Sequence, residues 1–169
     1  MTPSFERVEL PDDRADIVEL LTASTWPYHS APTLTEADID EMDISSPSAD
    51  SYWVCIDGVR SGLIRLLDLD EIDEGSPVFD LRIAADQRGR GAGRAAVAWL
   101  TSHLFGAYPT LHRIEATTRH DNLAMQRVFE RCSYRLEGRL RESWRNRDGS
   151  RHDTLVYAIV RWEWAAGGD

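Results

Sequence analysis

The chain is poor in cysteine: its 169 residues include two, Cys55 and Cys132. Two are too few for a disulfide framework, and they lack metal-ligand spacing; both read as buried apolar residues, and no metal site is expected. Long apolar runs are also missing, and none approaches the ~20 residues that a membrane-spanning helix needs. Met1-Thr2-Pro3-Ser4-Phe5-Glu6 has no signal-peptide pattern. The expectation is a cytoplasmic protein with no membrane partner. Positive charge is in deficit too, with a formal net charge of −10. That argues against general nucleic-acid binding, which calls for a basic face. It favours a cationic partner, although acid also serves solubility. No repeat and no linker is visible, and the length fits one domain, residues 1–169.

What is present is a chain of 42% hydrophobic and 28% charged residues, the balance of a soluble globular domain. Acid concentrates in residues 36–86 and arginine in residues 87–151. Where the two meet lies Gln87-Arg88-Gly89-Arg90-Gly91-Ala92-Gly93-Arg94. Upstream, Val78 to Ile83 reads as a buried strand; downstream, Ala95 to Phe105 reads as a helix with Val97, Leu100 and Leu104 on one face. Glycine lets backbone approach a ligand closely. The free N–H groups and dipole at a helix start attract an anion, and arginines beside them make a phosphate the natural ligand.

Two motifs fit this stretch. Arg88, Gly91 and Gly93 make Arg-x-x-Gly-x-Gly, the arginine form of an acetyl-CoA signature. Gly91, Gly93 and Ala96 make the dinucleotide pattern Gly-x-Gly-x-x-Ala, with Glu115 placed as a ribose ligand. The second fits less well. Seven residues separate Ile83 from Gly91, some eighty precede the turn, and too little chain follows to complete a doubly wound sheet.

Along the chain, Phe5 to Leu10 alternates as a first strand, and Pro11-Asp12-Asp13 opens a helix that Trp26-Pro27 ends. Trp26, Tyr28 and His29 follow in a loop, as packing residues or as the wall of an acceptor site. Thr33-x-x-Glu36 and Thr35-x-x-Asp38 both resemble capping boxes, so a short helix is expected through Ile39 and Met42. Ser51 to Ile56 and Val59 to Leu69 form a hairpin about Asp57-Gly58. Asp68, Asp70, Glu71, Asp73 and Glu74 make an acidic loop without EF-hand spacing. After the glycine turn and its helix, Leu111 to Thr118 is a strand parallel to the one before it, by right-handed crossover. Asp121 caps a helix through Leu123, Val128, Phe129 and Cys132. Tyr134 to Arg145 and Thr154 to Trp164 form a last hairpin about Asp148-Gly149, and the tail from Ala165 frays.

This order of elements, with Arg88, Gly91 and Gly93 on a strand-to-helix turn, resembles the GCN5-related N-acetyltransferase (GNAT) superfamily over essentially the whole chain. Asp121 to Met125, Glu130 to Tyr134 and Glu137 to Arg139, with His152-Asp153 after the final turn, are similar to its RimJ/RimL-like, ribosomal-protein alanine acetyltransferase branch. The resemblance implies an α+β fold, an αβα sandwich. Its mixed, mostly antiparallel sheet of six to seven strands has a splayed parallel central pair, with about four helices. It implies acetyl-CoA as cosubstrate, with pyrophosphate on the backbone of Gly89, Arg90, Gly91, Ala92, Gly93 and Arg94 beside Arg88. Pantetheine would lie along Leu81, Arg82 and Ile83, with Asn122 hydrogen-bonded to it and Phe129 as a packing wall, and Arg131 would stand near a nucleotide phosphate. The oxyanion would meet a backbone N–H near Ile83.

The implied reaction is direct attack of a primary amine, from a small molecule or a protein N-terminus. A homodimer is compatible with the branch. Three positions depart from the family: Met125 replaces a serine acid, Phe129 a tyrosine acid, and Ser133 a glycine. An α-amine with pKa near ~8 needs under ~1 kcal/mol to lose its proton near neutrality, against ~4 kcal/mol for a lysine-like amine, so a weak base suffices. Glu142 is the candidate, with Glu115 and Asp80 as alternatives. The missing donors also allow a CoA-binding interaction module; the dinucleotide motif allows, third, an oxidoreductase.

Overall fold

The computed structural model describes residues 2–72 and 77–166. Asp73 and Glu74 of the acidic loop, and Gly167, Gly168 and Asp169 of the tail, lie outside the described residues. The elements run β1 (Pro3–Arg7), α1 (Arg14–Ala23), α2 (Glu36–Asp40), β2 (Asp50–Ile56), β3 (Val59–Leu67), β4 (Val78–Ile83), α3 (Ala92–Ala107), β5 (Arg113–Arg119), α4 (Leu123–Arg131), β6 (Arg135–Arg145), β7 (Arg151–Val160) and α5 (Arg161–Ala166). The strands form two antiparallel sheets, β1-β2-β3-β4 and β5-β7-β6. Within the described residues no ladder joins β4 to β5, although the two strands touch. The splay expected of the central pair is therefore complete.

Alternation along the strands builds an α+β sandwich with two cores. On β2, Tyr52, Val54 and Ile56 face the core beneath α3 and α4, while Trp53 and Cys55 face the core beneath α1 and α2. The same period of two turns Phe79, Leu81 and Ile83 of β4 toward α3 and leaves Asp80 and Arg82 on the α1–α2 face. Gly62 lets β3 lie close against β4: a Cβ there would stand 2.5 Å from the Arg82 carbonyl. Among the described residues, no helix is long and apolar enough to cross a membrane.

Several boundaries differ from the sequence reading. The last strand stops at Val160, and residues 161–166 form a helix rather than strand and frayed tail. The cause is Arg161, whose guanidinium donates to the carbonyls of Leu111 and Phe105 at 2.7 and 3.0 Å and turns the chain onto α3. Trp162, apolar and expected in the strand, is 67% exposed. Strand β1 ends at Arg7, and Leu10 is exposed. Of the two capping boxes, Thr35 with Asp38 forms. Asn122, not Asp121, caps α4, accepting from the Met125 N–H; the Asp121 carboxylate is taken by Arg119.

Candidate active site at the splay

The gap between the sheets has a polar edge. Ala84 N–H donates to the Ser61 carbonyl at 2.8 Å, and Gly62 pairs with Ile83 in the next register position. Backbone polar groups alternate sides along an antiparallel strand. Those of Leu81 and Ile83 therefore point away from β3, toward β5, where no strand meets them.

This edge leads into the glycine turn. Gly89 and Gly91 adopt φ of +74° and +94°, values that an L side chain resists, and Gly91 is the N-cap of α3. The first-turn N–H groups of α3 have no intrahelical acceptor. Among the described residues no side chain caps them, and no acid sits in the first turn. Arg94 stands there instead, and Arg90 is exposed. A helix start of 16 residues with arginine where the dipole favours acid suits an anionic ligand. The residues present therefore fit a pyrophosphate joined to an extended arm along Leu81 and Ile83.

Arg88 does something else. Its Nε donates to the Ile83 carbonyl at 2.8 Å and its Nη2 to the Thr25 carbonyl at 2.7 Å. Its guanidinium lies 5.2 Å from the Trp26 ring centre, and burial pulls its pKa down. It clamps the turn to the loop between α1 and α2. Asn122 spends its Oδ1 on the Met125 N–H and donates from Nδ2 to Thr118 Oγ1 at 3.1 Å. Phe129 is 1% exposed, among Phe79, Tyr134 and Tyr157, so it is a core residue under the splay. Arg131 is exposed in the last turn of α4.

The loop carrying Trp26, Tyr28 and His29 spans the gap. From β4, the Asp80 carboxylate accepts from His29 Nε2 at 2.9 Å, and Arg82 lies 5.3 Å from the Trp26 ring centre. From β5, Arg119 donates to the Pro27 carbonyl at 3.1 Å and lies over Tyr28. From the turn between β6 and β7, the Arg147 N–H donates to the Ser30 carbonyl at 2.8 Å. Asp80 also accepts from Arg65 Nη2 and Arg82 Nε, each at 3.0 Å. Burial alone would raise the Asp80 pKa; the His29 hydrogen bond and the charges of Arg82 and Arg65 outweigh it and hold the carboxyl far below its usual range. The His29–Asp80 pair, 51 residues apart, has no local signal that sequence reasoning could have used.

The other candidate bases sit differently. Glu142 occupies a bulge of β6 at φ +52°. Its carboxylate is exposed and its N–H donates to Asp153 Oδ1 at 2.9 Å. Two ladders separate β6 from β5, while the turn that follows β6 reaches the loop over the gap through Arg147. Glu115 pairs with Arg113 at 2.8 Å. His120, Asp121 and His152 bring one ligand atom each within 4.8 Å, but Arg119 already holds the Asp121 carboxylate at 2.6 Å. A hollow of about 460 Å³ lined by Glu130, Tyr134 and Trp162 lies beside α5, outside the splay.

Residues 7–135 match the family model of the acetyltransferase (GNAT) domain. No curated protein matches the sequence. Among solved structures, the chain is similar to a probable acetyltransferase, with 22% identity, a TM-score of 0.78, and 96% of this chain and 94% of that one covered. It is also similar to the spermidine N-acetyltransferase of Vibrio cholerae in complex with CoA and spermine, with 20% identity, a TM-score of 0.77, and 96% and 98% covered. A dodecameric form of the Vibrio cholerae enzyme gives 20% identity, a TM-score of 0.77, and 99% and 98% covered. At these identities the likeness shows the fold.

Proposed function

The chain belongs to the GNAT acetyltransferase family, and from that premise we propose that it moves the acetyl group of acetyl-CoA to a primary amine by direct attack. The observation that carries the proposal is the edge of β4 that no strand pairs among the described residues, which runs into the acid-free N-terminus of α3. The turn from Gly89 to Arg94 holds the pyrophosphate on backbone N–H groups, with Arg131 beside the nucleotide. Leu81 offers strand-like hydrogen bonds to the pantetheine arm as it runs toward Arg82 and Ile83, and Asn122 offers its second amide hydrogen. The Ile83 N–H, aimed into the gap, is placed to meet the carbonyl oxygen as charge develops on it. Bound acetyl-CoA supplies the thioester: the amine nitrogen forms the new bond to the acetyl carbon, and the carbon–sulfur bond breaks to release CoA thiolate.

Tyr28 and His29 form the acceptor wall, while Trp26, 1% exposed, packs in the core beneath them rather than lining it. His29, tied to β4 through Asp80, takes the proton from the amine in this reading, with Glu142 as the alternative base. The RimJ/RimL-like reading finds support at Ser133, which replaces the branch's glycine yet holds φ +65° after α4. It finds further support at Asp153, which accepts from the Glu142 N–H and from Arg139 and so holds the β6 bulge. Met125 and Phe129 leave the protonation of the thiolate to water or to the departing ammonium.

The test is CoA-thiol release from acetyl-CoA across a panel of primary amines. Amine-dependent release is expected. Binding of CoA with no release above background for any amine would replace this reading with that of a CoA-binding module.

A further inference from the structure

Resting on the acetyltransferase reading, we infer that the acceptor is an amine that also carries a carboxylate, of the free amino-acid class, bound between Arg82 and His29. The cluster on the α1–α2 face of β4 is built around one carboxylate. Asp80 Oδ1 takes His29 Nε2, and Oδ2 takes Arg65 and Arg82. Two guanidiniums face one carboxylate, so the cluster carries a net positive charge even with His29 neutral. The whole chain is strongly acidic at −10, but this cluster beside β4 has the opposite sign.

Two polar atoms of this cluster are buried with no protein partner among the described residues: Arg82 Nη1 and His29 Nδ1. The Arg82 side chain is 7% exposed. Native structures rarely leave a buried charged donor unpaired, because its desolvation is uncompensated. The two orphans are complementary. Arg82 Nη1 is a cationic donor that wants an anionic oxygen. With its Nε2–H donating to Asp80, His29 presents Nδ1 as an acceptor that wants an N–H. Both side chains lean on the same carboxylate, His29 on Oδ1 and Arg82 on Oδ2, and His29 Nδ1 faces away from it, so the ligand has to bridge from Arg82 around the edge of the imidazole to reach both. Arg82 is also flanked by Leu81 and Ile83, whose edge faces the gap, and His29 belongs to the loop that covers it. A carboxylate on Arg82 and an amine on His29 therefore place the nitrogen beside that edge. A polyamine offers nothing to Arg82 and is repelled by the cluster's charge.

The experiment compares thiol release from acetyl-CoA with free alanine, glutamate and glycine, with their carboxamides, and with spermidine. The expected result is a kcat/KM for the free acids on the order of 100-fold above the matching amides, with spermidine lowest. Arg82→Gln is expected to bring the acid-to-amide ratio close to one. Because that variant also disturbs Asp80, a wild-type measurement stands beside it: free amino acids, not amides, should raise the melting temperature of the CoA complex. Amides or spermidine used better than the free acids would overturn the inference and leave the acetyltransferase reading intact. CoA bound with no amine of any kind acetylated would overturn both.

Discussion

The guanidinium of Arg88 lies 2.8 Å from the carbonyl of Ile83 and closes the glycine turn back onto the strand that feeds it. A second arm on Thr25, at 2.7 Å, ties the same turn to the loop over the splay. The first arginine of the motif thus fixes the shape of the turn. Hydrogen bonds from a charged donor contribute about 1.5–3 kcal/mol each when well placed, and half-exposed geometry lowers that. Arg88→Ala should cost about 1–3 kcal/mol in urea unfolding and raise the KM for acetyl-CoA. Arg88→Lys should recover little of either, since one ammonium cannot span both carbonyls. Unfolding midpoints equal to wild type would remove the clamp from the account.

Ser133 sits just beyond α4 with φ +65°, where left-handed backbone costs a non-glycine residue about 1–2 kcal/mol and glycine is the usual occupant. Glycine's greater unfolded-state freedom offsets part of the relief. Ser133→Gly should therefore stabilise the protein by about 0.5–1 kcal/mol, read as a rise in denaturant midpoint at unchanged slope. A fall in midpoint would mean that the serine hydroxyl contributes something the geometry does not show.

The Asp80 cluster makes stability depend on pH in a stated direction. The folded carboxyl titrates far below its usual range, while the unfolded one titrates near ~3.9. A depressed folded pKa contributes stability that is fully present above the unfolded value and is lost as pH falls below it. Asp80→Asn removes that contribution and leaves Arg65 and Arg82 without their counter-charge, so it should destabilise by roughly 2–4 kcal/mol at pH 7. The gap between variant and wild type should hold from pH 7 to about 5 and narrow below about 4. A gap constant down to pH 2 would show that the charge of Asp80 is not what holds the cluster.

Much of this was legible in the sequence, and what was not has a physical reason. Gly89 and Gly91 announce themselves because positive φ and close approach restrict the residue type, so the turn and the helix behind it could be read locally. The β formers of Ser51 to Ile56 and the Asp57-Gly58 turn marked the β2–β3 hairpin. By contrast, α5 was hidden because Trp162 and Trp164 add β-forming residues after Leu155, Tyr157 and Ile159, while the cause of the break, Arg161 reaching Leu111 and Phe105, spans about 50 residues of chain. The capping choice between Asp121 and Asn122 turned on Arg119, whose side chain claims the aspartate. Arg88 reads as a phosphate ligand in any local window, since only the fold brings Ile83 and Thr25 to it. The Asp80 cluster joins β3, β4 and a distant loop, so its members looked like unrelated charges.

The central claim is that the β4 edge and the start of α3 form the acetyl-CoA site. Isothermal titration of CoA and of NAD against wild type and Gly91→Val tests it most directly. Gly91 holds φ +94°, a conformation that valine, with its branched Cβ, takes only under strain. The prediction is CoA binding by wild type, binding weakened by at least tenfold in Gly91→Val whose fold is retained by circular dichroism, and no heat with NAD. Binding of NAD without CoA, or CoA affinity unchanged by a valine at this turn, would contradict the account.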